Sequence, residues 1–366
     1  MPSDRKLRVA MTLEQCWHRV PGGTAVAAIE GARALSHFMD VIGVSARHRA
    51  APPAPWTPPV PVKPLPLPRV ALYESWHRLR VPRVETATGR VDIVHATTLA
   101  IPPRSAPLVV TIHDLAFLTY PEHFTARGLR FFTKGLALAR RDADLVLCSS
   151  TATLEQCRDY GFPAERLRHV SLGVRVQTAT EREVEEVRVR YGLTRPYVMW
   201  TGTVEPRKNL RGLIEAHLSL DSELDLVLVG PRGWNEDVDR MVKGRTEHIK
   251  PLGFVPGSDL GALYAGAEVF CYPSLMEGFG FPVLEAMAQS TPVVTSRGTS
   301  TEELAGPDAV LVDPHDPASI AAGLNEVFSN DDLATRLAEA GPARAATFSW
   351  ERNARDTAAA YREVAE

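Results

Sequence analysis

The chain has 366 residues, 45% of them hydrophobic, and a formal net charge of −3 at pH 7. That length allows two domains with separate cores, and the near-neutral charge gives no reason to expect nucleic-acid binding. Its four cysteines, Cys16, Cys148, Cys157 and Cys271, lack metal-ligand spacing and read as reduced core or surface thiols of a cytosolic protein.

The first residues lead directly into a short apolar strand over 7–13, which is neither a signal peptide nor a membrane span, so a cytoplasmic location is expected. Gly22 and Gly23 follow, ahead of a helical pattern over 24–38. A glycine pair before a helix lets backbone amides approach a phosphate. Strand patterns recur over 41–45, 91–96, 108–112, 145–148 and 167–170, with helical stretches among them. Residues 52–68 are so rich in proline that neither a helix nor an internal strand is expected, only an extended surface loop. Residues 73–80 and 127–141 mix basic with aromatic or apolar side chains. An ordinary amphipathic helix packed on a sheet is the favoured reading, and peripheral contact with the inner face of a membrane stays open.

A charged helical stretch over 180–190 separates these strands from a second set over 197–201, 224–229, 248–252, 269–272, 292–295 and 310–312. Two such alternating sets imply an α/β chain of two Rossmann-like domains, each with a ligand crevice at the carboxyl ends of its strands. The hinge is placed near Gly173, where glycine can absorb a backbone change.

Glu277 and Glu285 form an E-x7-E pattern around Gly278-Phe279-Gly280-Phe281-Pro282. Pro282 suits the first position of a helix and Glu285 its first turn, while the glycines admit a close ligand. Arg207 and Lys208 follow the strand 197–201 and can grip phosphate oxygens, the first bidentately and the second as a compact charge. His113 ends the strand 108–112 and should emerge at the crevice of the first domain, as should His95 at the end of 91–96. Asp142-Ala143-Asp144 spells D-x-D, but it lies at the amino end of a strand and reads as a turn.

Three motifs in chain order, Thr111-Ile112-His113-Asp114, Thr201 to Leu210 and the E-x7-E run, resemble those of retaining glycosyltransferases of the GT-B type, in particular the large bacterial family four. The resemblance implies a GT-B fold, with two Rossmann-like domains facing each other across a cleft. Residues 1–175 would form the acceptor-side domain, with a final helix over 347–366 packing back on it, and residues 190–346 the donor domain. Arg207 and Lys208 would hold the donor diphosphate, Glu277 the donor sugar hydroxyls and Glu285 the ribose. His113 would contact the sugar near the reacting centre, which makes Glu277, His113, Arg207 and Lys208 the expected catalytic set. Gly23, Gly278, Phe279, Gly280, Val283 and Leu284 would line the donor site, as would Thr299, Ser300 and Glu303. The backbone at Phe254 and Val255, after the strand 248–252, would read the base. Gly22, Trp17 and His95 fall on the acceptor side, and His18 and Arg19 share the loop of Trp17. Ser290 stands where the family usually has a glycine ending the helix.

The resemblance further implies hexosyl transfer with retention from a nucleotide diphosphate sugar to a hydroxyl of a saccharide or lipid-linked acceptor, with no cofactor and no required metal. The Thr-Ile-His-Asp and Glu-Pro-Arg-Lys-Asn combination points to GDP-mannose. A UDP- or dTDP-linked donor is the alternative, and a sugar-nucleotide epimerase or an idle donor-binding subunit are rivals from other classes. A dinucleotide oxidoreductase is disfavoured, since no G-x-G-x-x-G loop follows the first strand.

Overall fold

The computed structural model describes residues 5–18, 21–103, 105–221, 223–231, 233, 237–244 and 247–365. The chain divides into two compact units, Met1–Gly173 with Phe348–Glu366, and Val174–Thr347.

The first unit is built on a parallel sheet of seven strands in the order β3-β2-β1-β4-β5-β6-β7. These are β1 Arg8–Thr12, β2 Asp40–Ser45, β3 Val62–Pro64, β4 Ile93–Ala96, β5 Leu108–Ile112, β6 Leu145–Cys148 and β7 Leu167–His169. Strands buried on both faces carry continuous apolar runs, and their side chains still alternate between two cores. Leu108, Val110 and Ile112 of β5 enter one core with the helices Arg69–Arg78 and Ala126–Asp142. Val109, one residue out of phase, enters the other with the helices Gly22–Leu35 and Trp350–Ala365.

Two local features differ from the sequence reading. The proline-rich segment holds β3, a three-residue strand at the edge of the sheet, tied in by Gly43 N–H to Pro61 O at 2.8 Å and Leu65 N–H to Ser45 O at 2.8 Å. Prolines are tolerated there because an edge strand needs a ladder on one side only. The first long helix begins at Gly22, so the glycine pair forms its first turn and not the loop before it. All four cysteines are buried free thiols, so none is a surface thiol. Gly173 is required by close approach: a Cβ there would lie 2.3 Å from Trp350 N.

The second unit holds six parallel strands in the order β10-β9-β8-β11-β12-β13. They are β8 Tyr197–Thr201, β9 Asp225–Val229, β10 Ile249–Gly253, β11 Val269–Tyr272, β12 Val293–Ser296 and β13 Val310–Val312. β1 pairs with both β2 and β4, and β8 with both β9 and β11. At each such point the strand order reverses and the connections leave in opposite directions, opening a crevice at the carboxyl ends.

Candidate active site

In the second unit, the loops leaving β8 and β11 meet at that reversal. The β8 loop ends in a short 3-10 turn, Pro206–Lys208, and passes through Asn209, at φ 53°, into the helix Leu210–Leu218. The β11 loop runs to the helix Phe281–Ala288. Leu275 N–H donates to Arg207 O at 2.8 Å, and Asn209 Nδ2 donates to Pro273 O at 3.0 Å and Pro314 O at 2.6 Å.

Three motif residues converge between these loops. Arg207 Nη1 donates to Glu277 Oε2 at 3.0 Å and to Met276 O at 3.1 Å, while its Nη2 lies 2.7 Å from Glu205 Oε1. Lys208 Nζ donates to Glu277 Oε1 and to Tyr272 Oη, both at 2.5 Å, and Tyr272 Oη donates to Glu277 Oε1 at 3.0 Å. Burial alone would raise the Glu277 pKa, but Lys208 and Arg207 outweigh it and hold the carboxyl at about 2. Lys208 is lowered from its ordinary value by burial and by Arg207, against the pull of Glu277 and Glu205.

Glu285 lies apart from this cluster. Burial raises its pKa, opposed by a hydrogen bond from Tyr264 Oη to Oε2 at 2.9 Å. The helix starts at Phe281, not Pro282, so Glu285 stands in its second turn, where a macrodipole argument loses most of its force. Gly280, at φ 117°, permits that early start, and a Cβ on it would meet Thr301 Cγ2 at 2.8 Å. Val283 and Leu284 are buried in the helix. Ser300 Oγ donates to Glu277 O and to Phe279 O, both at 2.8 Å, so it holds the backbone of the glycine loop from behind. Thr299 caps the helix Ser300–Ala305, and the backbone carbonyl of Glu303 accepts from Arg344. Ser290 adopts the left-handed conformation at φ 59° after the helix ends. Phe254 and Val255 follow β10 at the sheet edge, the first 73% exposed and the second buried.

In the first unit, His113 follows β5. Its ring is lowered in pKa by burial, against the pull of Asp114 and of the Thr97 backbone, while its own carbonyl accepts from Ser149 Oγ at 3.1 Å and Thr153 Oγ1 at 3.0 Å. Thr97 is held in turn by Thr12 and by Gln15 Nε2, the latter at 2.6 Å. His95 is buried, with Nε2 2.7 Å from Thr111 Oγ1 and Nδ1 2.6 Å from Tyr361 Oη, and its pKa is pushed down to about 3. His95 and His113 line one cavity of about 40 Å³. Trp17 stacks on His48 and donates to Ala50 O, and His18 is lowered to about 4 by burial, Arg69 and His48. Gly22 and Gly23 are exposed at their helix start; Arg19 lies outside the described residues. Asp142 pairs with Arg80 and Asp144 accepts from Leu108 N–H, so the D-x-D carboxylates have structural partners.

Tyr272, Tyr264 and Thr97 carry no motif in the sequence, and Glu205 enters only as a member of the Glu-Pro-Arg-Lys-Asn run. Tyr272 carried one signal, a hydroxyl on the last residue of an otherwise apolar strand that ends at the crevice.

Two family profiles match the chain, one described as Glycosyl transferases group 1 over residues 183–344 and one as Glycosyltransferase Family 4 over residues 21–178. The O-antigen chain mannosyltransferase B of Escherichia coli is 36% identical over 281 residues, covering 74% of this chain and 74% of that protein. The chain is a glycosyltransferase of this group 1, family 4 class. A second relative of this glycosyltransferase, the MMP alpha-(1->4)-mannosyltransferase of Mycolicibacterium hassiacum, is 29% identical over 303 residues, 75% of this chain and 71% of the other. Among solved structures, Anabaena HepE in complex with UDP and glucose superimposes with a TM-score of 0.76 at 21% identity, covering 96% of this chain and 98% of that one. At that identity the likeness carries the fold, the paired Rossmann-like domains of the GT-B type. Among the described residues, no helix of the glycosyltransferase is long and apolar enough to cross a membrane.

Proposed function

We propose that this glycosyltransferase is a retaining mannosyltransferase that takes GDP-mannose as donor and a hydroxyl of a saccharide or lipid-linked saccharide as acceptor, on the cytoplasmic side of the membrane. The observation that carries the donor half is the convergence of Arg207, Lys208 and Glu277 at the crevice of the second unit. Support for mannose comes from the relatives, both named as mannosyltransferases.

On this reading the bond from the sugar anomeric carbon to the diphosphate breaks while the acceptor oxygen bonds to the same face. The acceptor proton passes to the departing diphosphate, and no side chain has to act as base. Arg207 and Lys208 stabilise the charge gathering on the diphosphate, so no metal is required. Glu277 accepts from hydroxyls of the sugar and Glu285 from those of the ribose, because an ionised carboxylate offers only acceptors. His113, kept neutral by burial, serves as a hydrogen-bond partner and not as an acid.

A UDP-linked sugar is the second reading, favoured by the UDP and glucose held in HepE. Thermal stabilisation by GDP-, UDP-, dTDP- and ADP-linked sugars in EDTA decides between them. A shift with GDP-mannose that disappears in Arg207→Ala is the expected result. A shift with UDP-glucose alone overturns the donor, and a shift that needs added Mg²⁺ or Mn²⁺ overturns metal independence. The anomer formed with an acceptor tests retention.

A further inference from the structure

The β8 loop carries a carboxylate with no part in the transfer step above. Glu205 is only 6% exposed, and its Oε1 faces Arg207 Nη2 at 2.7 Å, while Glu277 occupies Nη1 of the same guanidinium. Its backbone carbonyl also accepts from Lys208 N–H at 3.0 Å, so Glu205 is fixed to both cations of the motif. Together with Lys208, these side chains form a partly buried group of two cations and two carboxylates, formally neutral. A site shaped only for maximal grip on a diphosphate would leave its cations less compensated. Glu277 has hydroxyls to bind when a sugar is present; Glu205 has no such task.

We propose that Glu205 is a positioning residue that holds Arg207 in the empty site and weakens the grip on nucleoside diphosphate, so that this product leaves after transfer. The inference rests on the donor reading above. When a diphosphate arrives, Arg207 turns part of its guanidinium to phosphate, and the Glu205 carboxylate stays close enough to repel the new anion. Charges a few ångströms apart in a partly buried site interact strongly enough to change an equilibrium about tenfold. A residue present only for packing would have the opposite signature, because its loss would loosen the guanidinium and weaken binding.

The test is calorimetric titration of the wild type and Glu205→Gln with inorganic pyrophosphate, GDP and UDP. Glutamine keeps the shape and an acceptor for Arg207 while removing the charge. The expected result is binding tighter by about tenfold, with lower kcat and stronger product inhibition as release slows. Glu205→Ala should shift affinity in the same direction, and the melting temperature of each unliganded variant reports its folding. Equal or weaker binding in a folded variant overturns the proposal. If the wild type binds neither nucleotide nor pyrophosphate, the donor reading fails as well, and the two failures are told apart within one experiment.

Discussion

Lys208 Nζ lies 2.5 Å from Glu277 Oε1, two atoms brought together from positions 69 residues apart, with side-chain exposures of 11% and 7%. The reversal of strand order at β8 and β11 makes the contact, since it sets the two loops side by side. Three charged motif residues thereby share one network.

That network makes acid stability depend on Glu277. Its carboxyl titrates at about 2 in the folded protein and near the ordinary 4.5 when unfolded, so the unfolded chain takes up the proton first. The stabilisation is complete above the ordinary value and is lost as pH falls toward about 2. Urea unfolding followed from neutral to acid pH should show Glu277→Gln less stable by about 3 kcal/mol at neutrality, because two buried cations then share one carboxylate. The gap should close in acid. A constant gap would mean the charge is not the cause.

Tyr264→Phe removes the side-chain hydrogen bond that Tyr264 Oη donates to Glu285. Burial already raises that carboxyl, and the lost hydrogen bond raises it further. Nucleotide affinity should fall about fivefold at neutral pH, as for loss of about 1 kcal/mol, and its acid limb should move to higher pH. An unchanged limb in a pH series of binding constants would refute the coupling.

Gly280→Ala combines a left-handed φ of 117° with a Cβ only 2.8 Å from Thr301 Cγ2. The expected cost is about 1 to 3 kcal/mol, with donor affinity reduced because Phe279 and Glu277 share that loop. Chemical denaturation checks the first effect and titration with nucleotide the second; wild-type values in both would show that the loop adapts freely.

His95 links the sheet to the end of the chain, since Tyr361 and Thr111 take its two ring nitrogens, one accepting and one donating, as only a neutral imidazole allows. Burial lowers its pKa to about 3, so the unfolded chain binds the proton first and stability drops as pH falls below the ordinary 6.5. Tyr361→Phe leaves a buried nitrogen unsatisfied and should cost about 1 to 3 kcal/mol. Faster hydrogen exchange at β4 and in the helix Trp350–Ala365 is the readout; unchanged exchange at both would refute the link.

Most strands were legible because β-branched and apolar runs buried on both sheet faces leave a continuous signal, as in Leu108–Ile112. β3 was not: three residues flanked by prolines carry no pattern, and only pairing with β2 makes them a strand. At the site, Arg207, Lys208 and Glu277 stood out as charges among glycines and prolines. Tyr272, Tyr264 and Thr97 did not, because each matters through a partner supplied by a neighbouring strand or helix. The helix after Gly280 starts one residue before the position that Pro282 favours, because the left-handed glycine ahead of it lets Phe281 take the first helical position.

The return of residues 348–366 to the first unit sets an order on synthesis. A ribosome delivers β1 to β7 first, yet the helix Trp350–Ala365 that covers one face of their sheet follows only after Val174–Thr347. Until then His95 lacks Tyr361, and the core around Val9, Ile93 and Val109 lacks its cover. The first unit is thus completed only after the whole of Val174–Thr347 has emerged, and a truncation that removes the helix Trp350–Ala365 strikes the half that was made first.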